Sequence, residues 1–191
     1  MKSNGSMKLN DSMKLNVRKL ALAGMMTALG VSLSAFSFPV GASRCFPIQH
    51  LLNVLAGVFL GPGYALGFSF STALIRNLLG TGSLLAFPGS MIGALLGALL
   101  YRLSGKLWTA FAGEMVGTGI LGGILCYPVA VLFMGNQEAA VFTYVLPFLV
   151  STMGGCAMAA ALLGILCKSG AFRYLKSMAE EGVDMQRGRL P

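Results

Sequence analysis

Long uncharged runs, broken by short polar or glycine-rich stretches, dominate the pattern of this chain. Leu20 to Ser43 carries no formal charge, and neither does Cys45 to Ile75. A membrane-crossing helix needs about 20 mostly apolar residues, so the first run predicts one span and the second is too long for one. Gly61-Pro62-Gly63 is a turn signal that divides the second run into helices over about 46–60 and 64–80, the latter holding Arg76. In the run from Asn77 to Tyr101, Thr81-Gly82-Ser83 and Pro88-Gly89 place the break early and leave a helix near 87–101. Leu107 to Gln137 contains one charge, Glu114, and predicts a fifth helix ending near Tyr127-Pro128. Ala139 to Cys167 predicts a sixth over about 143–167. The pattern therefore predicts an all-α integral membrane protein with six transmembrane helices.

Composition supports that class and excludes others. Only 10% of residues are charged and 55% are hydrophobic, against roughly 25% charged in soluble domains. The net charge of +8 does not predict nucleic-acid binding, because the basic residues sit between apolar runs rather than on one polar face. Their placement predicts orientation instead, since Lys and Arg gather in cytoplasmic connections. With the N-terminus inside, twelve of the fourteen lie on the inner side; only Arg44 and Arg76 lie toward the outside. Both termini are then cytoplasmic, as an even span count requires. The first helix reads as a retained span rather than a cleaved signal peptide, its apolar run being longer than an h-region. Residues 1–16, with Met-Lys-Leu-Asn at 7–10 and 13–16, read as a polar tail. Residues 17–170 form the transmembrane domain, and 171–191 a polar cytoplasmic tail expected to fray after Lys176.

Motifs for enzymatic chemistry are thin. There is no HExxH, GxSxG or Walker-type loop, and the single His50 makes no familiar zinc spacing with Cys45, Cys126, Cys156 and Cys167. Cys45 and Cys126 are both placed near the outer surface, which leaves a disulfide open beside the default of buried thiols. Without a phosphate-binding loop, active transport requires an energising partner or an ion gradient.

Polar residues inside the membrane are the informative set, because they cost free energy unless they face protein, water or ligand. Gln49, His50 and Asn53 share one face of helix two by their i,i+3 and i,i+4 spacing. Arg76 and Asn77 lie toward the outer part of helix three, Phe87 at the start of helix four, and Tyr127 at the end of helix five. Asn136 lies in the last outer loop and Tyr144 opens helix six. All nine fall in the outer half, as aromatic faces and neutral hydrogen-bonding groups with one Arg. Structural alternatives stand beside this: interhelical cross-links for Gln49, His50 and Asn53, pairing of Arg76 with Glu138, and interfacial belt roles for Tyr127 and Tyr144. Glu114 is expected near the inner half, paired with a cytoplasmic Lys or a subunit contact. The segment Phe38–Phe46, limited by Pro39 and Gly41, is expected to form an outer lid with Phe38 or Phe46 against a ligand ring.

Small residues recur every four positions on helix one (Gly24, Ala28, Ser32) and on helix four (Gly89, Gly93, Gly97). Such ridges let helices approach closely. Internal packing is the reading for helix four, and partner docking is an open reading for helix one.

The span count, both ends cytoplasmic and the helix-one ridge together resemble the substrate-binding S components of energy-coupling factor (ECF) vitamin transporters. More specifically, Pro47-Ile-Gln-His-Leu-Leu-Asn-Val-Leu-Ala-Gly-Val-Phe-Leu-Gly-Pro62 and Ile75-Arg-Asn-Leu-Leu-Gly-Thr-Gly-Ser-Leu-Leu-Ala-Phe-Pro-Gly89 resemble the ThiW family, over about residues 17–170. Gly24 stands where S components often carry Ala, which keeps the surface small. The resemblance implies a non-enzymatic, multi-pass subunit of the cytoplasmic membrane that captures a thiamin precursor, the thiazole moiety (hydroxyethylthiazole). It implies delivery to a transmembrane coupling protein and two ATPases, with ATP used by those partners and no cofactor in this chain. Two readings from other classes remain at this stage: a stand-alone ion-coupled carrier, and an intramembrane enzyme acting on lipid.

Overall fold

The computed structural model describes residues 17–41, 43–138 and 140–184. The expected tail at 1–16 and the last residues of the chain lie outside that set. The helices are α1 (Val17–Ser32), α2 (Pro47–Phe59), α3 (Pro62–Leu78), α4 (Ala86–Ser104), α5 (Leu107–Phe133), α6 (Val145–Lys168) and α7 (Ala171–Asp184). A single 3-10 turn, Leu33–Ala35, ends α1, and a small antiparallel hairpin follows. Its strands β1 (Phe38–Val40) and β2 (Ser43–Cys45) pair Phe38 with Cys45 and Val40 with Ser43. Pro47 and Pro62 start α2 and α3 at positions where the missing N–H is not needed.

Helix α2 is the hub. It packs on α3, α4, α5 and α6, while α1 lies against α3 and α2. Leu52, Ala56 and Leu60 of α2 meet Ala65 and Phe68 of α3 and Ala94 and Ala98 of α4. On its other side Val54 and Val58 meet Ala110, Cys156, Ala159 and Leu163. By rise per residue α2 is about 20 Å long and α5 about 40 Å. The start of α2 therefore lies sunken below the neighbouring helix ends, beneath the hairpin.

Three helices, α4, α5 and α6, are long and apolar enough to cross a membrane, and α2 is a shorter apolar helix. Their outward residues are large and apolar: Leu99, Leu103, Trp108, Leu125, Leu132 and Ile165 are all exposed. A surface of that kind suits lipid rather than water. The protein is an all-α, membrane-embedded chain.

The glycines of α4 pack against α5 and not outward. A Cβ on Gly113 would lie 2.6 Å from Gly97 Cα, one on Gly117 2.6 Å from Gly93 Cα, and one on Gly122 2.8 Å from Gly89 Cα. The α5 glycines are four and then five residues apart. The five-residue step is accommodated because Met115–Gly122 is a π-helical segment, hydrogen-bonded i to i+5 with a wider turn. The ridge of α1 behaves oppositely: Gly24, Ala28 and Ser32 are exposed on one face.

Three boundaries differ from the sequence expectation. Helix α5 continues through Pro128 to Phe133, because Cys126 and Ala130 bury against Leu85, Tyr144 and Phe148. That burial outweighs the hydrogen bond the proline removes. The first apolar run is not helical to its end, the helix giving way to the hairpin. The stretch after Lys176, expected to fray, is helical through Asp184. Helix α7 is amphipathic and docks at the opposite end of the bundle from the hairpin: Phe172 meets Phe59 at 5.5 Å between ring centroids, and Lys176 Nζ donates to Tyr101 Oη at 3.1 Å.

Candidate functional site

The first two turns of α2 carry Gln49, His50 and Asn53 on one face, and all three are buried. Glu114 reaches them from α5, immediately before the π segment. Its Oε1 accepts from Asn53 Nδ2 at 2.9 Å and Thr118 Oγ1 at 3.1 Å, and lies 2.8 Å from His50 Nδ1. Gln49 Nε2 donates to Asn53 Oδ1 at 3.2 Å, and Asn53 Nδ2 also reaches the Ser90 carbonyl at 3.3 Å. Ser69 Oγ donates to Ser90 Oγ, tying α3 to α4 at the same level. The carboxylate joins α2 to α5, and Asn53 joins both to α4 through the Ser90 carbonyl. Glu114 is thus not near a cytoplasmic Lys, as expected, but 1% exposed within the bundle. The sunken start of α2 explains the difference: it brings His50 down to the level of the eighth residue of α5.

Above the network lies an open cavity whose empty space, with the open solvent at its mouth included, is about 450 Å³. Its floor and sides come from Gln49, His50, Ser90 and Thr118, with Gly89 and Ala86 of α4. Phe46 and Phe148 supply aromatic faces, and Ser151, Ser83 and Leu85 complete the wall. The hairpin contributes Ser43 and Arg44, and α3 contributes Arg76. The hairpin's placement over the cavity is fixed by two bonds to α6. Phe46 N–H donates to Ser151 Oγ at 2.8 Å, and Cys45 Sγ–H donates to the Pro147 carbonyl at 3.1 Å.

Arg76 does not reach outward or pair with Glu138. It is 2% exposed, and its guanidinium carbon stands 3.9 Å from the centroid of the Phe46 ring, a cation–π contact. Of the two phenylalanines expected in a lid, Phe46 lines the cavity and Phe38 is exposed and does not.

Of the nine expected site residues, the structure brings Gln49, His50 and Arg76 to the cavity wall and Asn53 directly beneath it. The other five lie elsewhere. Asn77 Nδ2 donates to the Ala73 and Ser83 carbonyls and braces the α3–α4 turn. Phe87 packs on Phe70 at 5.8 Å. Tyr144 is buried with Cys126 and Phe148, its hydroxyl accepting from the exposed Asn136 at 3.2 Å. Tyr127 is half-buried and does not line the cavity. Cys45 and Cys126 are both buried free thiols, and Cys126 Sγ–H donates to the Leu85 carbonyl. Sequence reading missed Ser90, Thr118, Phe148 and Ser151. Thr118 had a signal, since it stands four residues after the only intramembrane acid. Among the described residues no cluster of His, Cys, Asp or Glu has the makings of a metal site.

A membrane-embedded helical chain with a polar-floored, aromatic-walled cavity has the shape and lining to hold a small molecule. The chain belongs to the thiamine-precursor transporter family ThiW, which it matches over residues 20–169. It is a member of a transporter family, not an enzyme family. Neither the curated proteins nor the solved structures contain a match.

Proposed function

We propose that this chain is the S component of an ECF importer, with six membrane spans and both termini in the cytoplasm. It captures the thiazole precursor of thiamin, hydroxyethylthiazole, at the outer face of the cytoplasmic membrane. The observation that carries this reading is the cavity beneath the hairpin. Its aromatic faces, Phe46 and Phe148, suit a flat heteroaromatic ring, and His50, Gln49, Ser90 and Thr118 suit a ring nitrogen and hydroxyl. The exposed small face of α1 at Gly24, Ala28 and Ser32 offers a surface on which a transmembrane coupling protein packs backbone to backbone. Two ATPases bound to that protein drive release, and the chain itself needs no cofactor.

A second reading is a stand-alone ion-coupled carrier. The buried Glu114–His50 contact favours it, because intramembrane acid–base pairs serve as proton relays in such carriers. One experiment separates the two: uptake of labelled hydroxyethylthiazole by cells expressing the chain alone or with an ECF module. The S-component reading expects uptake only with the module, retained when ion gradients are dissipated and ATP is maintained. Robust uptake by the lone chain that collapses with the gradient would replace it with the carrier.

A further inference from the structure

The cavity wall carries two cations and no anion. Arg44 and Arg76 both line it, and no carboxylate does. The nearest acid in the network is Glu114, below the floor, with Oε1 engaged by three neighbours and Oε2 buried without a partner. Arg76 is the informative one, because it is 2% exposed and has no ion-pair partner among the described residues. Burying a charge without a counter-charge is costly. Its neutral contacts are few: the Phe46 ring, and a hydrogen bond from Nη2 to the Thr81 carbonyl that is long at 3.5 Å. Its Nε is buried with no acceptor at all.

A purely structural role does not account for this charge. The turn after α3 is already closed by main-chain bonds, with the Thr81 and Gly82 N–H groups both donating to the Arg76 carbonyl at 2.9 Å. Those bonds need only the backbone of residue 76. Its guanidinium is a planar fork of donors matched to the oxygens of a carboxylate or phosphate, held at a cavity wall. Ser83 adds to it: its Oγ accepts from the Leu85 N–H at 3.2 Å, leaving the hydroxyl proton for a ligand oxygen.

We propose that the cavity is built for an anionic form of the precursor, a thiazole bearing a carboxylate or a phosphate monoester, with the negative group seated at Arg76 and Arg44. This rests on the thiazole reading above but replaces its neutral alcohol with an anionic thiazole. Phe46 then has two functions, covering the guanidinium on one face and the ligand ring on the other side of the cavity mouth. A neutral alcohol leaves the Arg76 charge uncompensated.

The test is a set of titrations of the purified full chain in lipid nanodiscs. The probes are hydroxyethylthiazole, its phosphate monoester, the corresponding thiazole carboxylic acid and inorganic phosphate. The expected result is that an anionic thiazole binds at least tenfold tighter than the alcohol. The carboxylate and phosphate arms then identify which anion it is. In Arg76→Gln the ratio of anionic to neutral affinity should fall toward one, and in Arg76→Lys most of it should remain. Equal or tighter binding of the alcohol to the unmodified chain overturns the proposal, and needs no variant to be folded. So does an anion preference that survives Arg76→Gln. If no thiazole binds, the thiazole reading fails, and hydroxymethylpyrimidine against its phosphate becomes the deciding pair. A preference for the phosphate form that depends on Arg76 upholds the anion seat. Absence of such a preference, or of any binding by folded protein, overturns it.

Discussion

Glu114 Oε1 and His50 Nδ1 stand 2.8 Å apart across the α2–α5 contact, and the same oxygen accepts from Asn53 and Thr118. One carboxylate therefore orients the imidazole that faces the cavity and satisfies two further buried donors. Removing it takes an acceptor from all three and leaves Asn53 Nδ2 with the Ser90 carbonyl alone. We expect Glu114→Ala to destabilise the protein by about 3 kcal/mol or more, in the range for breaking a buried pair from one side. Glu114→Gln keeps an acceptor oxygen and should lose clearly less. Thermal unfolding of both variants in one detergent checks this; equal losses would mean that the acceptor is not what matters.

His50 lies between that carboxylate and the cavity. Leaving a buried partner unpaired costs about 1–3 kcal/mol, so His50→Ala should weaken ligand binding roughly five- to hundredfold. Calorimetric titration of the purified chain measures it. Unchanged affinity in a folded variant removes His50 from the site.

The two small-residue ridges make opposite predictions. A side chain on Gly113 meets the Gly97 backbone, which cannot yield, whereas a Cβ on Gly24 meets nothing within 4 Å. Gly113→Leu should destabilise by about 1–3 kcal/mol or more through overpacking. Gly24→Leu should stay within about 0.5 kcal/mol, as exposed substitutions do, and bind ligand normally, yet abolish module-dependent uptake. Parallel melting, binding and uptake assays test both; normal uptake by Gly24→Leu would show that α1 is not the docking face.

The hairpin is held to α6 by the Phe46 and Cys45 bonds to Ser151 and Pro147. With a ligand beneath it, opening costs more. Limited proteolysis between Phe38 and Phe46 should therefore slow several-fold when ligand is added. Identical cleavage rates with and without ligand would count against a lid.

Much of this was legible in the sequence where physics is local. The Gly61-Pro62-Gly63 turn divides α2 from α3 as its local chemistry predicts, and the polar face at Gln49, His50 and Asn53 follows from helical spacing. What failed depended on depth and partners. Spacing does not report that α2 is half the length of α5, so it puts His50 near the outer end and does not reveal the contact with Glu114, two turns into α5. Tyr144 and Phe87 are aromatic residues at plausible positions, but their packing partners, Cys126 and Phe70, come from tertiary structure. Pro128 stops a helix by its local rule, and burial of Cys126 and Ala130 overrode that rule.

The π segment has a consequence for how this sequence tolerates change in length. Ordinary helix would present Leu121, not Gly122, to the Gly89 backbone, and a leucine does not fit where a single methyl carbon already stands at 2.8 Å. Deleting one residue between Gly117 and Gly122 would turn the five-residue step into the four-residue step of ordinary helix, so Gly122 would still meet Gly89. Cys126 and Ala130 would keep their buried face, whereas one residue added there would turn them by about 100°. Among descendants of this gene, a single codon lost from this segment should therefore be tolerated as a return to ordinary helix, while a codon gained there should not.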